Sequence, residues 1–169
     1  MSLVVLLGGA RSGKSALSVE LAGERATFVA TGTPGDDEMA ARIERHRTER
    51  PAGWSTVEEP LELRRALAAA APDEAVVVDC LSLWVSNLIE VGWSDDAIEE
   101  EAAVAASVAA ARPGPTIAVS NEVGLGIVPA TPLGRRYRDV LGRVNAVWAA
   151  AADRVLLVVA GRSLELERL

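Results

Sequence analysis

The residues most able to do chemistry come first in the chain. Gly8, Gly9, Ala10, Arg11, Ser12, Gly13, Lys14 and Ser15 form the pattern G-x-x-x-x-G-K-S. Its glycines let the backbone curl until several N–H groups point at one phosphate. The helix that opens near Ser15 adds the positive end of its dipole. Lys14 neutralises the β- and γ-phosphates of a nucleoside triphosphate, and Ser15 is placed to ligate Mg2+. The apolar run before the loop and the helical pattern after it separate this motif from a glycine turn that binds nothing. A second acid is needed for the metal, and V-V-V-D-C supplies Asp79 at the end of another apolar run. There it can hold Mg2+ through water or polarise an attacking group.

The third set surrounds His46, the chain's single histidine. On a helix over residues 37–47, Met39, Ile43 and His46 share a face, and Arg42 lies one turn before His46. Arg45, Arg47 and Arg50 complete a ring of guanidinium groups. Neighbouring like charge disfavours protonation of the imidazole, and guanidinium groups bind phosphate with paired donors. A neutral imidazole beside a bound triphosphate can attack phosphorus. The same spacing also fits an exposed histidine on a solvated basic helix, and the spacing alone leaves both readings open.

These groups need a scaffold, and the apolar patterning predicts one. Residues 3–7, 27–30, 75–79, 116–120 and 154–160 are short and almost continuously apolar, as strands covered on both faces are. Between them, residues 15–22, 37–47, 61–70, 94–111 and 132–152 read as helices. Ser94 is placed to cap one, with Asp95 and Asp96 in its first turn. Residues 55–59 suggest a short extra strand. The tail from Arg162 alternates apolar and polar residues, which suits an edge strand, antiparallel in the reading preferred here. The β-then-α repetition predicts an α/β fold: a doubly wound, mainly parallel sheet with helices on both faces. No repeat or linker divides residues 1–169, so a single domain is expected.

Bulk properties restrict the partners. The net charge is −7 over 169 residues, which argues against sequence-independent binding to nucleic acid. A small phosphorylated ligand needs only a local positive pocket. One cysteine cannot form an internal disulfide, which fits a reducing compartment. The first ten residues lack the basic flank of a signal peptide, and no apolar run reaches the ~18 residues of a membrane span. A soluble, cytoplasmic protein is expected.

Around the loops, Glu122 is a candidate for contact with metal or substrate hydroxyl, or for capping a turn. Asn121 can bond a ligand or close that turn. Trp84 fits plain core better than an apolar wall for a ligand. Arg135, Arg136 and Arg138 fit a solvated helix face better than a phosphate site.

Taken in order, GGARSGKS, VATGTPGDDEMAARIERHRTERPAGWSTVEEP, VVVDCLSLWVSNLI, SNEVGLGIVP and GRRYRDVLGRVNAVWAAAADRVLLVVAG cover nearly the whole chain. R-I-x-x-H-x-x-x-R and S-N-E-V-G-x-G-I-V-P are far more specific than the phosphate loop. On these motifs the chain resembles the bifunctional adenosylcobinamide kinase / adenosylcobinamide-phosphate guanylyltransferase family. The resemblance implies a P-loop NTPase fold of the RecA-like kind, in homotrimers. It implies phosphorylation of adenosylcobinamide by ATP or GTP. It then implies GMP transfer from GTP to adenosylcobinamide phosphate through a GMP–histidine intermediate, with pyrophosphate released. The histidine of that intermediate falls on His46. Nucleotide contacts fall on residues 8–15, on Thr31, Gly32 and Thr33, on Arg47, Thr48, Glu49 and Arg50, and on Glu58 and Asp79. The competing expectations are a monofunctional P-loop kinase or NTPase with a structural histidine, and a nucleotide-dependent binding switch.

Overall fold

Val, Ile and Leu alternate between two covered faces along the central strands, and the sheet follows from that alternation. In a computed structural model of the chain, residues 2–33 and 51–168 are described. Their elements, in order, are β1 (Leu3–Gly8), α1 (Lys14–Ala22), β2 (Ala26–Ala30), β3 (Ser55–Glu58), α2 (Leu63–Ala69), β4 (Ala75–Asp79), α3 (Leu81–Glu90), α4 (Asp95–Ala111), β5 (Thr116–Asn121), α5 (Pro132–Ala151), β6 (Arg154–Val159) and β7 (Arg162–Glu165). The strands form one sheet in the order β3-β2-β4-β5-β1-β6-β7. Every neighbouring pair is parallel except β6 with β7. The short strand expected at residues 55–59 and the antiparallel edge expected in the tail are both present, as the two edges of the sheet.

Two cores result. Leu3, Val5, Val29, Val76, Val78 and Ala118 point to the layer of α2, α3, α4 and α5. Val4, Leu6, Phe28, Val77, Ile117 and Leu156 point the other way, toward Leu17 and Leu21 of α1. The helices therefore lie on both faces, as the near-continuous apolar strands require. The helix starts also match their caps. Ser94 Oγ accepts from Ala97 N at 3.3 Å, and Thr131 Oγ1 accepts from Gly134 N at 3.1 Å ahead of Pro132. Each such cap contributes about 1 kcal/mol.

The expected helices are found, except that the one over residues 37–47 lies outside the described residues. Helix α3 is an addition. It starts one residue after β4, and its Cys80 cap makes no side-chain hydrogen bond, so no polar start signal marks it. The signal present was periodicity: Leu81, Trp84, Val85 and Leu88, at i, i+3, i+4 and i+7, are all fully buried. Trp84 is thus core, with its Nε1 donating to Leu61 O at 2.8 Å.

At the amino edge of the sheet, the buried Arg112 guanidinium closes the end of α2. It donates to Leu67 O, Ala70 O, Ala71 O and Glu74 O at 2.8 to 3.2 Å. One side chain thereby ties the last turn of α2 to the segment that leads into β4.

Candidate functional site

The site lies at the carboxyl edge of the sheet, where open α/β sheets place their ligands. Gly8 ends β1. A Cβ there would lie 2.2 Å from Val158 O, so the strand can turn into the loop beside β6 only as glycine. Gly13, at the start of α1, holds φ 107°, which a side chain rarely adopts. Between them, Gly9, Ala10 and Arg11 are exposed and Ser12 is buried. The Lys14 side chain is folded back over its own loop and is 8% exposed. Its Nζ donates to Gly8 O at 2.9 Å, to Gly9 O at 2.7 Å and to Ser12 Oγ at 3.4 Å. The ammonium is thereby held against the carbonyls of its own loop.

The hairpin of β6 and β7 braces this loop from outside. Ala160 and Gly161 close the hairpin, with φ 50° and 73°. Gly161 N donates to Ser12 O at 2.8 Å, and Gly161 Cα lies 3.3 Å from the position of a Cβ on Gly13. The shape of the loop therefore depends on the far end of the chain, a dependence no local motif reveals.

Asp79 ends β4, and β5 runs between β4 and β1. The two functional strand ends are two sheet spacings apart, about 10 Å. Asp79 is level with Val119, while Gly8 is level with Asn121. The carboxylate thus stands two residues lower than the phosphate loop, with the end of β5 as the floor between them.

That floor is fixed by polar side chains. Asn121 Nδ2 donates to Ser82 Oγ at 3.1 Å, Asn145 Nδ2 donates to Asn121 O at 3.2 Å, and Ser120 Oγ donates to Asn145 Oδ1 at 2.7 Å. Tyr137 Oη donates to Ser82 O at 3.1 Å. Asn121 thus ties the end of β5 to α3 and α5. Glu122 closes the turn after β5, since its Oε1 accepts from Gly124 N. Cys80, next to Asp79, is a buried free thiol. Burial, and then the charge of Asp79, push it up to about 11. Burial likewise pushes the Tyr137 phenol up to about 12. Both groups stay protonated near neutral pH, so neither is a nucleophile there.

The other expected contacts fall on the same edge. Thr31 is fully buried: its Oγ1 donates to Cys80 O at 2.7 Å and accepts from Cys80 N at 2.8 Å. That hydroxyl fixes the turn under Asp79. Gly32 is half-buried against Leu83 and Thr33 is exposed. Glu58 ends the edge strand β3 and is exposed; it pairs in register with Ala30, which pairs in turn with Asp79. The arginines of α5 are occupied elsewhere: Arg136 with Asp95 and Trp93 O, Arg138 with Asp139, and Arg135 with Pro129 O and Ala130 O. His46, Arg42, Arg45, Arg47, Thr48, Glu49 and Arg50 lie outside the described residues.

Among the described residues, no group of three or more His, Cys, Asp and Glu could hold a metal by itself. The oxygen donors beside the phosphate loop that the sequence pattern singles out are the Ser15 hydroxyl and the Asp79 carboxylate. Two hard oxygen donors suit Mg2+, which takes its remaining ligands from phosphate and water. Among the same residues, no helix is long and apolar enough to cross a membrane.

Comparison with known proteins identifies the family. A family model described as cobinamide kinase / cobinamide phosphate guanyltransferase matches residues 4–166. The bifunctional adenosylcobalamin biosynthesis protein CobU of Salmonella typhimurium is 39% identical over 98% of this chain and 99% of its own length. The corresponding protein CobP of Pseudomonas aeruginosa is 42% identical over 96% of each chain, and CobU of Escherichia coli is 40% identical over 98% and 99%. Among solved structures, a protein of Pyrococcus horikoshii OT3 superposes with a TM-score of 0.58 at 7% identity, over 97% of this chain and 85% of that one. The RadB recombinase superposes at 0.50 and 16% identity, over 92% and 73%. At such low identity these two structures speak for the fold alone, a mainly parallel sheet covered by helices.

Proposed function

The chain belongs to the cobinamide kinase / cobinamide phosphate guanyltransferase family, and from that premise we propose how its residues divide the two reactions. The enzyme is a bifunctional transferase of cobalamin biosynthesis that uses ATP or GTP to phosphorylate adenosylcobinamide and GTP to guanylylate the product. The observation that carries the assignment of residues is the formed phosphate loop, with Asp79 two strands away on the same edge.

In the kinase step the loop N–H groups of residues 8–15 hold the triphosphate. Lys14 exchanges its contacts with Gly8 O and Gly9 O for the β- and γ-phosphates. The acceptor hydroxyl attacks the γ-phosphorus, the bond to the bridging oxygen breaks, and the nucleoside diphosphate leaves. Ser15 and Asp79 would hold Mg2+, which would offset charge on the phosphates.

In the second step a ring nitrogen of His46 attacks the α-phosphorus of GTP. A P–N bond forms and pyrophosphate departs. A phosphate oxygen of adenosylcobinamide phosphate then displaces the histidine, giving adenosyl-GDP-cobinamide. Splitting the transfer gives each half a good leaving group, and Arg47 and Arg50 offset developing charge. Thr31, Gly32, Thr33, Thr48, Glu49 and Glu58 complete the nucleotide site, with Thr31 acting through the turn it fixes. The chain works as one domain, residues 1–169, in a homotrimer. The buried free thiol of Cys80 supports a reducing, cytoplasmic setting.

Incubation with α-labelled GTP tests the covalent step. Acid-labile, alkali-stable label on the protein, lost in His46→Ala, is the expected result. Phosphorylation of adenosylcobinamide without any such label would leave a monofunctional kinase.

A further inference from the structure

The segment that follows β5 carries no charged side chain from residue 123 to residue 134. Its large apolar side chains face solvent: Leu125 is 85% exposed, Ile127 96%, Val128 61% and Leu133 62%. Large apolar side chains clustered in the open mark a binding surface.

Both ends of this segment are fixed. At its root, Glu122 N donates to Gly8 O of the phosphate loop at 3.2 Å. At its far end, Thr131 caps α5, and Arg135 Nη1 donates to Pro129 O at 3.0 Å and Ala130 O at 2.9 Å. The apolar side chains are therefore presented from a tethered backbone that starts in hydrogen-bond contact with the loop holding the phosphates.

We propose that this loop is the platform on which the corrin ring of the acceptor docks. The assignment rests on the cobinamide chemistry given under Proposed function. That acceptor must bring a hydroxyl on a short arm to the phosphate loop, so its macrocycle has to lie beside the loop. The ring has broad apolar faces and an uncharged rim of amides, and an uncharged apolar surface rooted at Gly8 matches it. The triphosphate, a polyanion, gains nothing from such a surface. The other occupant an apolar loop could take is a second copy of the chain, and the experiment separates the two.

The test compares wild type with Leu125→Ser/Ile127→Ser and with the single variant Ile127→Ser. Readouts are equilibrium binding of adenosylcobinamide, KM for adenosylcobinamide and for GTP, and mass in solution. Loss of two apolar anchors should weaken corrinoid binding and raise its KM roughly tenfold or more. KM for GTP should stay within about twofold, as expected for contacts made to one substrate only, and mass should not change. The single variant, altered at the most exposed position, should show the same split at smaller size, and it serves if the double variant folds poorly. Unchanged corrinoid binding in variants of an active enzyme overturns the docking proposal alone. A fall in assembly mass reassigns the loop to the subunit interface and also overturns it. A wild type that neither binds nor phosphorylates the corrinoid overturns the functional reading itself.

Discussion

Two loops leave neighbouring strands at the same edge of the sheet, and they are built on opposite principles. The loop after β1 is turned inward. Lys14 bonds two of its carbonyls, the β6–β7 hairpin holds a third, and Gly8 admits no side chain. The loop after β5 is tied at its two ends and presents apolar side chains outward between them. One loop fixes backbone donors for a small, highly charged group. The other fixes a surface for a large, mostly apolar one. The difference teaches that the backbone geometry of the first matters more than its side chains, and that the reverse holds for the second.

Glycine substitutions offer the sharpest way to break this contrast. Gly8→Ala puts a Cβ 2.2 Å from Val158 O. We expect a loss of about 2–3 kcal/mol in stability and loss of measurable nucleotide binding. Gly126→Ala, where nothing lies within 4 Å of the new Cβ, should stay within about 0.5 kcal/mol of wild type. Thermal unfolding and nucleotide titration read both. Equal effects in the two variants would erase the distinction.

Lys14→Met comes next. It removes the one ammonium held over the loop, so kcat/KM for the nucleotide in the kinase step should fall on the order of a thousandfold. Equilibrium binding of the corrinoid should be preserved within about threefold, because that ligand is held elsewhere. A parallel fall in corrinoid binding would show that the two loops act as one site.

The contrast also explains what the sequence made legible. The inward loop is a fixed pattern of glycines and Lys-Ser, because only those residues satisfy its backbone. It could be read directly, as could the parallel sheet from its continuous Val and Leu runs. The apolar loop was harder. Leu125, Ile127 and Val128 look like core in any composition-based reading, and their exposure depends on the tethers at Gly8 and Arg135, distant in sequence. Helix α3 was missed for a related reason, since a helix buried directly behind a strand has no polar start to announce it. The brace from Gly161 to Ser12 joins residues far apart in the chain, and no local pattern encodes it. The arginines of α5 have partners of three kinds that spacing does not foretell: Arg136 reaches Asp95 on α4, Arg138 pairs with the adjacent Asp139, and Arg135 bonds the carbonyls of Pro129 and Ala130.

A smaller effect is expected at that brace. Gly161→Pro removes the N–H that bonds Ser12 O and forbids the positive φ of the turn. Loss of one hydrogen bond to the loop should raise the nucleotide KM by about fivefold, and the strain should lower the melting temperature. Gly161→Asn keeps the donor and tolerates the turn, so it should restore the KM. Failure of Asn to restore it would mean that the hairpin supports the sheet edge and has no hold on the loop.

The smallest effect concerns Cys80, between Asp79 and α3. Its thiol is buried and pushed up to about 11 from an ordinary 9.0. At pH 8 it is therefore protonated and out of reach, and iodoacetamide should label it only after unfolding. The sign of the linked stability follows. The unfolded thiol ionises first, so stability is intact below pH 9 and declines as pH rises from 9 toward 11. Tyr137, pushed up to about 12 from 10.0, adds the same trend at higher pH. Cys80→Ala should flatten the 9-to-11 portion of the denaturation profile while leaving KM for both substrates within about twofold of wild type, because the thiol touches neither loop's ligand. Rapid labelling of the folded protein at pH 8 would mean that the end of β4 opens to solvent. The contact of Asn121 with Ser82 beside it would then be a moving part, and the root of the β5 loop could not serve as the fixed reference against which the two loops differ.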